Sequence, residues 1–222
     1  MARKTMMILL PIALAALGGC QAFAFLGYLI APREDDTKTV QAEYKESELA
    51  NRSLAVVVYV DEKIRFEYPT AQELVTLVIA AEFEKEDVRD RIKNLRVLRP
   101  KNVLDYQERN IHWDEMGKAE LGKALGADFV LFVSLEEFTT REPMSINMLR
   151  GIVSGEVSLY KTSLPERESR VYKGPDIRVV HPKEALGGVP GYDDRKIREE
   201  TVAEFAKLVV WKFYKHKELV EP

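Results

Sequence analysis

Three histidines, His112, His181 and His216, and a single cysteine, Cys20, carry the readiest chemistry in this sequence. No two histidines stand at a metal-ligand interval, and neither a His-Glu-x-x-His pair nor an aspartate-rich calcium loop occurs, so no metal site is expected. No Gly-x-Ser-x-Gly elbow lifts a serine out of a strand end, and Ser154-Gly155 falls inside an alternating strand pattern, where the glycine reads as a close-packing site or bulge. Gly187-Gly188-Val-Pro-Gly191 lacks the lysine and hydroxyl that hold a phosphate, and reads as a surface turn. Glu136-Glu137 and Asp193-Asp194 are sequence neighbours that point apart, not general acid/base pairs. The expectation is a protein that is not an enzyme and uses no cofactor.

Binding is better represented than catalysis. Trp211, Phe213 and Tyr214 cluster near the C-terminus, and one helical stripe cannot bury all three, so Trp211 or Tyr214 is expected either to face a partner or to pack over a sheet edge. His112 beside Trp113 is a second candidate contact at the mouth of a helix, or simply a residue of the helix-entry loop. His181, before Pro182, reads as a strand end, and His216 as a helix C-terminal residue that complements the dipole together with Lys212, Lys215 and Lys217.

The cysteine has a different context. Arg3 and Lys4 precede the apolar run Met6–Leu17, and Leu17-Gly18-Gly19-Cys20 follows; charge, apolar core and small residues are the three parts of a secretory signal. The tetrapeptide resembles the lipobox of bacterial lipoproteins. That resemblance implies a signal peptide over residues 1–19, an acylated Cys20 as mature N-terminus, and, with Gln21 where a retention aspartate would stand, the outer membrane. A second reading stays open. From Thr5 to Ala31 the chain is uncharged for about 27 residues, long enough to span a bilayer with some tilt, with Arg3 and Lys4 keeping the N-terminus inside. Either way the chain is held on a membrane with its domain outside the cytoplasm.

These residues need a scaffold. Of 222 residues 46% are hydrophobic and 31% charged, a globular composition, and a formal net charge of −3 without a basic stripe argues against nucleic acid. One cysteine permits no internal disulfide. Residues 20–52 read as anchor and linker, and 53–217 as a single α/β domain. Leu54–Val60 is a continuous β-branched run, the mark of a strand covered on both faces. Thr70-Ala-Gln-Glu73 has the form of a capping box, with Leu74, Leu77, Val78 and Ala81 as the apolar stripe of a helix over 70–83, or on to Asp90. A short strand is expected at Leu95–Leu98, a helix from Pro100 to Tyr106, and a helix capped by Asp114 and ended by Gly126, with Met116, Ala119, Ala124 and Leu125 inward. Phe129–Leu135 is another buried strand. Gly151–Lys161 alternates as a strand with one wet face, Ser169–Val180 is its antiparallel partner, and Asp193 or Asp194 caps a long final helix lined by Ile197, Thr201, Phe205, Leu208, Val209 and Phe213.

The fold class is therefore α/β (α+β): a mixed sheet with parallel strand–helix units first, an antiparallel hairpin and a long C-terminal helix. The opening strand with its helix, Leu121-Gly-Lys-Ala-Leu-Gly-Ala-Asp128 running into Phe129–Leu135, the strand Gly151–Tyr160 and the closing helix together resemble a group of bacterial envelope lipoproteins. The group includes the curli-secretion pore lipoprotein, the lipoprotein activators of penicillin-binding proteins and the amino-terminal domain of TolB. The resemblance covers about residues 53–216 and implies a two- or three-layer mixed sheet and a binding or assembly role, with no catalytic residue to transfer. Met144–Arg150 is too short to match the membrane-inserting hairpins of the curli pore. The functional expectation is a membrane-anchored, non-enzymatic lipoprotein that binds a protein partner or a second copy of itself. The alternatives are a carrier of a lipid or glycan, and a hydrolase built on His112 or His181.

Overall fold

The computed structural model describes residues 37–142, 148–183, 189–190 and 193–219. Cys20 and the whole N-terminal segment, residues 143–147 and most of the segment around Gly187-Gly188 lie outside the described residues. Two compact units are present, one over Gln41–His216 and one that combines the chain up to Val40 with Lys217 onwards. In the smaller unit, β1 (Thr37–Val40) pairs with β9 (His216–Leu219) in a two-stranded sheet, with Lys38 and Glu218 ion-paired at 3.5 Å.

The larger unit is built on a seven-stranded mixed sheet. β2 (Ser53–Tyr59) runs parallel to the two-residue β3 (Arg96–Val97) on one side and to β4 (Phe129–Arg141) on the other. β5 (Met148–Lys161) returns antiparallel to β4, from Phe129 opposite Lys161 to Arg141 opposite Leu149. β6 (Arg170–Lys173) and β7 (Ile177–His181) then pair with successive parts of β5, and β8 (Val189–Pro190) with its start. The expected partner strand over 169–180 is thus two strands, entered through α7 (Glu166–Ser169).

The remaining described helices are α1 (Glu46–Leu49), α2 (Glu62–Glu67), α3 (Ala71–Phe83), α4 (Glu86–Arg91), α5 (Pro100–Arg109), α6 (Lys118–Leu125) and α8 (Asp194–Trp211). Because strand side chains alternate, Val56, Val58, Leu131 and Val133 join α3 and α8 in the main core, while Ala55, Val57 and Val130 meet α5 and α6 in a second cluster on the opposite face. Three layers result, and covering both faces is what makes β2 and β4 continuously apolar.

Several local expectations are corrected. Thr70 sits at the N-cap of α3 but its hydroxyl makes no capping bond, so no capping box forms, and the chain breaks at Glu84 before α4 instead of running on. The buried stripe of α3 is Ala71, Val75, Ile79 and Phe83; Leu77 and Ala81 are exposed. Asp114 does not cap α6, which starts four residues later. Its first amides, Lys118 and Ala119, donate instead to the carboxylate of Glu166 at 2.7 and 2.9 Å, a cap supplied from another segment. Gly126 closes α6 with φ +69°, the left-handed geometry glycine adopts without strain. Ala119 is buried as expected, but Ala124 is exposed, and Leu121 and Gly122 complete the buried side. β5 has no wet face, since Ser154 and Ser158 are buried beneath neighbouring layers. Residues 41–52 are not a free linker: Leu49 is fully buried, and Glu43 and Tyr44 donate backbone N–H to the Lys212 carbonyl.

The Leu-Gly-Ala-Asp sequence before β4 has a structural task. Asp128 accepts from the Ser53 backbone and from its hydroxyl, both at 2.8 Å, and returns its own N–H to Ser53 Oγ at 2.9 Å, which locks the starts of β4 and β2 in register. The backbone hydrogen bond from Ser53, then the hydroxyl bond, hold the Asp128 carboxyl below its ordinary pKa. A depressed folded pKa contributes stability above the unfolded value of about 3.9, and that stability is lost as pH falls through the folded value. Asp128→Asn is expected to cost about 1 kcal/mol at pH 7, a cost that shrinks as the pH falls through the lowered folded pKa and the wild-type carboxyl becomes protonated too. Urea midpoints at pH 7 and below the folded pKa check this, and an equal gap at both would refute it.

Candidate groove between two helices

β3 ends after two residues while β2 continues to Tyr59, so beyond Leu54 that edge of the sheet faces α3 and α5 instead of a strand. Gln107, on α5 and only 5% exposed, donates Nε2–H to the Val58 carbonyl at 3.2 Å, taking the place of the missing strand. Its Oε1 is buried with no hydrogen-bond partner among the described residues. Above it, α3 and α5 leave a groove of about 830 Å³, with Leu77, Leu104 and Ile111 as its apolar part and Arg65, Glu73, Lys101, Asp105 and Glu108 as its charges. A second hollow of about 200 Å³ shares Glu73 and Leu77 and continues to Arg198 and Glu199 of α8.

The exposure of this region is unusual. Phe66, in α2 next to Arg65, is 88% exposed, Ile111 is 82% exposed and Leu77 is 43% exposed. The described residues hold four exposed large apolar side chains, Phe66, Leu77, Ile111 and Leu219, and two of them, Leu77 and Ile111, line this groove. Apolar surface gathered in this way marks an interaction site more often than scattered single residues do.

The aromatic candidates are packed inward, which for Trp211 and Tyr214 is the second of the two expected placements. Trp113 is 5% exposed and packs edge-on to Tyr59 in the second apolar cluster, so its ring lies inside and not at the surface. It nevertheless lines the groove from within. His112, next to it, is exposed and lies 3.4 Å from Glu115. Tyr214 is buried, its hydroxyl donating to Asp87 Oδ2 at 3.1 Å, and burial followed by the Asp87 charge pushes its pKa up. α8 ends at Trp211, and His216 begins β9 instead of ending a helix. Its buried ring stacks on Trp211 at 4.2 Å, with Lys207 Nζ 4.4 Å from the same indole. Trp211 and Tyr214 thus belong to the main-core side of the sheet and Trp113 to the other, and the structure does not gather the four candidates into one site.

His181 does meet a carboxylate, with Nε2 2.8 Å from Glu200 Oε2. Such a pair orients an imidazole, but acyl transfer also needs a nucleophile on the other nitrogen. The described lining of the surrounding cleft, Val179, Val180, Ala203 and charged side chains, holds no hydroxyl or thiol. Among the described residues no group of three or more His, Cys, Asp or Glu could hold a metal ion, and no helix is long and apolar enough to cross a membrane.

The groove itself was not anticipated. Phe66 and Ile111 are single apolar residues amid charge, and Leu77 was placed on the inward face of its helix. The usable signal was negative: Leu95–Leu98 is too short to protect the length of Leu54–Val60.

No protein-family model matches this sequence, and no curated protein is significantly similar to it. Solved structures similar to it include the PelC dodecamer from Paraburkholderia phytofirmans, with 11% identity and TM-score 0.43 over 79% of this chain and 96% of that one. The lipoprotein GNA1162 from Neisseria meningitidis overlaps with 14% identity and TM-score 0.38 over 58% and 82%. The hypothetical protein CT253 from Chlamydia trachomatis does so with 13% identity and TM-score 0.36 over 71% and 98%. Overlaps this low assign the chain to no family, and what those proteins bind or build remains theirs; the fold class established from its own elements is a mixed α/β sheet with a long C-terminal helix.

Proposed function

We propose that this chain is a cell-envelope protein whose α/β domain binds a protein partner, within an assembly, transport or cell-wall machine, and catalyses no reaction. Its first thirty or so residues hold it on a membrane, through acyl chains on Cys20, which favours the outer membrane, or through a spanning helix over 5–31. The observation that supports the binding role is the meeting of the exposed Leu77 and Ile111 on one groove. Five charged side chains line that groove, which suits a protein surface better than the acyl chain a lipid carrier would enclose.

The full-length chain, purified from membranes in mild detergent, is expected to bring down a partner in stoichiometric amount. Ile111→Asp should cut that recovery at least tenfold while leaving thermal unfolding within about 2 °C, because the side chain is exposed. A wild-type monomer with no partner, or undiminished recovery by the variant, overturns the reading. Intact mass of the same preparation decides the anchor, since an acylated chain beginning at Cys20 and an uncleaved chain differ by about 2 kDa at ~110 Da per removed residue, less the lipid.

A further inference from the structure

We infer that the groove between α3 and α5 receives a basic amphipathic segment of the partner, with an apolar side chain against Leu77, Leu104 and Ile111 and a lysine or arginine between Glu73 and Glu108. This rests on the protein-binding reading above and names the chemistry of what is bound.

Of the two cations in the groove, Lys101 is paired, with Nζ 3.5 Å from Asp105, while Arg65 donates Nη2–H to the Val60 carbonyl at 3.2 Å and keeps its charge. Glu73 and Glu108 are exposed and have neither an ion pair nor a side-chain hydrogen bond among the described residues. Gln107 Oε1, at the base, is an acceptor without a donor. The unpaired charges of the groove are therefore two carboxylates against one guanidinium, with an open amide acceptor at the base, so the balance favours an occupant that brings positive donors. Lysine and arginine do so while laying an apolar stem along the wall.

Other occupants fit less well. An acidic segment would meet two unpaired carboxylates against a single guanidinium, and like charges at close range select against a partner. A bilayer surface rich in anionic lipid is repelled by the same pair. A second copy of this chain is a distinct outcome of the test below.

The test uses the full-length chain in non-ionic detergent, with empty micelles as the blank, and three labelled 14-residue peptides of one leucine pattern carrying lysine, glutamine or glutamate at the polar positions. Fluorescence anisotropy is expected to show the lysine peptide binding at least tenfold more tightly than the glutamine peptide, with the preference shrinking in high salt. The glutamate peptide should not bind. Glu73→Gln with Glu108→Gln should bring the lysine and glutamine peptides within about twofold of each other. The control pair Glu84→Gln with Glu86→Gln, away from the groove, should leave the preference intact. Equal binding of the glutamate peptide, a preference indifferent to the Glu73/Glu108 pair, or no binding of any peptide overturns the inference. So does self-association of the chain that Ile111→Asp abolishes, which would make a second copy the occupant. The partner recovery described above is scored separately, so the wider reading can stand when this one falls.

Discussion

Phe213→Ala is expected to destabilise the domain by about 3–5 kcal/mol, lowering its unfolding temperature by roughly 6–20 °C. Phe213 lies two residues past the end of α8 and is fully buried. Its ring meets Tyr172 of β6 at 5.4 Å, Phe83 of α3 at 6.0 Å and Tyr44 at 6.3 Å, so three separate segments converge on it. The same junction is tied by polar bonds: the Tyr172 hydroxyl donates to Glu43 at 2.6 Å, and Lys212 Nζ reaches the other oxygen of that carboxylate at 2.7 Å. Alanine would leave a cavity whose walls come from elements fixed elsewhere, and walls of that kind collapse poorly. Phe213→Leu keeps most of the volume and should cost about 1–1.5 kcal/mol. Urea unfolding of the detergent-held full chain measures both variants. Equal losses for leucine and alanine would show that the filled volume is not what Phe213 contributes.

What the sequence revealed depended on how locally each feature is determined. Leu54–Val60 and Phe129–Leu135 were legible because burial on both faces leaves no polar residue to interrupt them, and Gly126 because a positive φ demands that residue type. The face of α3 was not. Its sequence is apolar nearly all round, so the stripe through Leu74 and Leu77 and the one through Val75 and Ile79 are equally periodic, and packing against α8 chooses the second. The cap of α6 was illegible for another reason: its acceptor, Glu166, is 48 residues from Lys118, and no local pattern encodes it. The lysines after Trp211 read locally as a helix end, yet His216–Leu219 is a strand because it pairs with Thr37–Val40, a partner too distant in sequence for any local pattern to show. The candidate site shows the same limit. Trp113 and Tyr214 attracted notice as aromatic residues, and aromatic residues are what cores bury; Ile111 and Gln107 matter through exposure and through an unmet bond, neither of which is a property of residue type.

Gly155→Ala is expected to cost about 3 kcal/mol or more, and Gly155→Val to leave too little folded protein to measure. Gly155 stands on β5 opposite Leu135, where the β4 register slips by a residue before Glu137. A Cβ there would run into the Ser134 carbonyl oxygen and lie 3.2 Å from Leu135 Cα. That obstacle is main chain in the middle of the sheet, held by pairing on both sides, since β4 is bonded to β2 as well as to β5. Gly151, four residues earlier, is a useful contrast. Its Cβ would collide first with the side chain of Thr201, whose hydroxyl donates only to its own helix, to the Ile197 carbonyl at 2.6 Å. Thr201→Ala should therefore recover part of the stability lost in Gly151→Ala, a coupling of about 1–3 kcal/mol between touching sites, with the Cβ of residue 201 at 2.9 Å still crowding the new methyl. No substitution at Ser134 or Leu135 should recover Gly155→Ala, because every residue type keeps the carbonyl that blocks it. Urea midpoints for the two double-mutant cycles test the distinction. Rescue of Gly155→Ala by Ser134→Ala would mean that the clash at this bulge is with a side chain, and that the β4–β5 register at Leu135 differs from the one described.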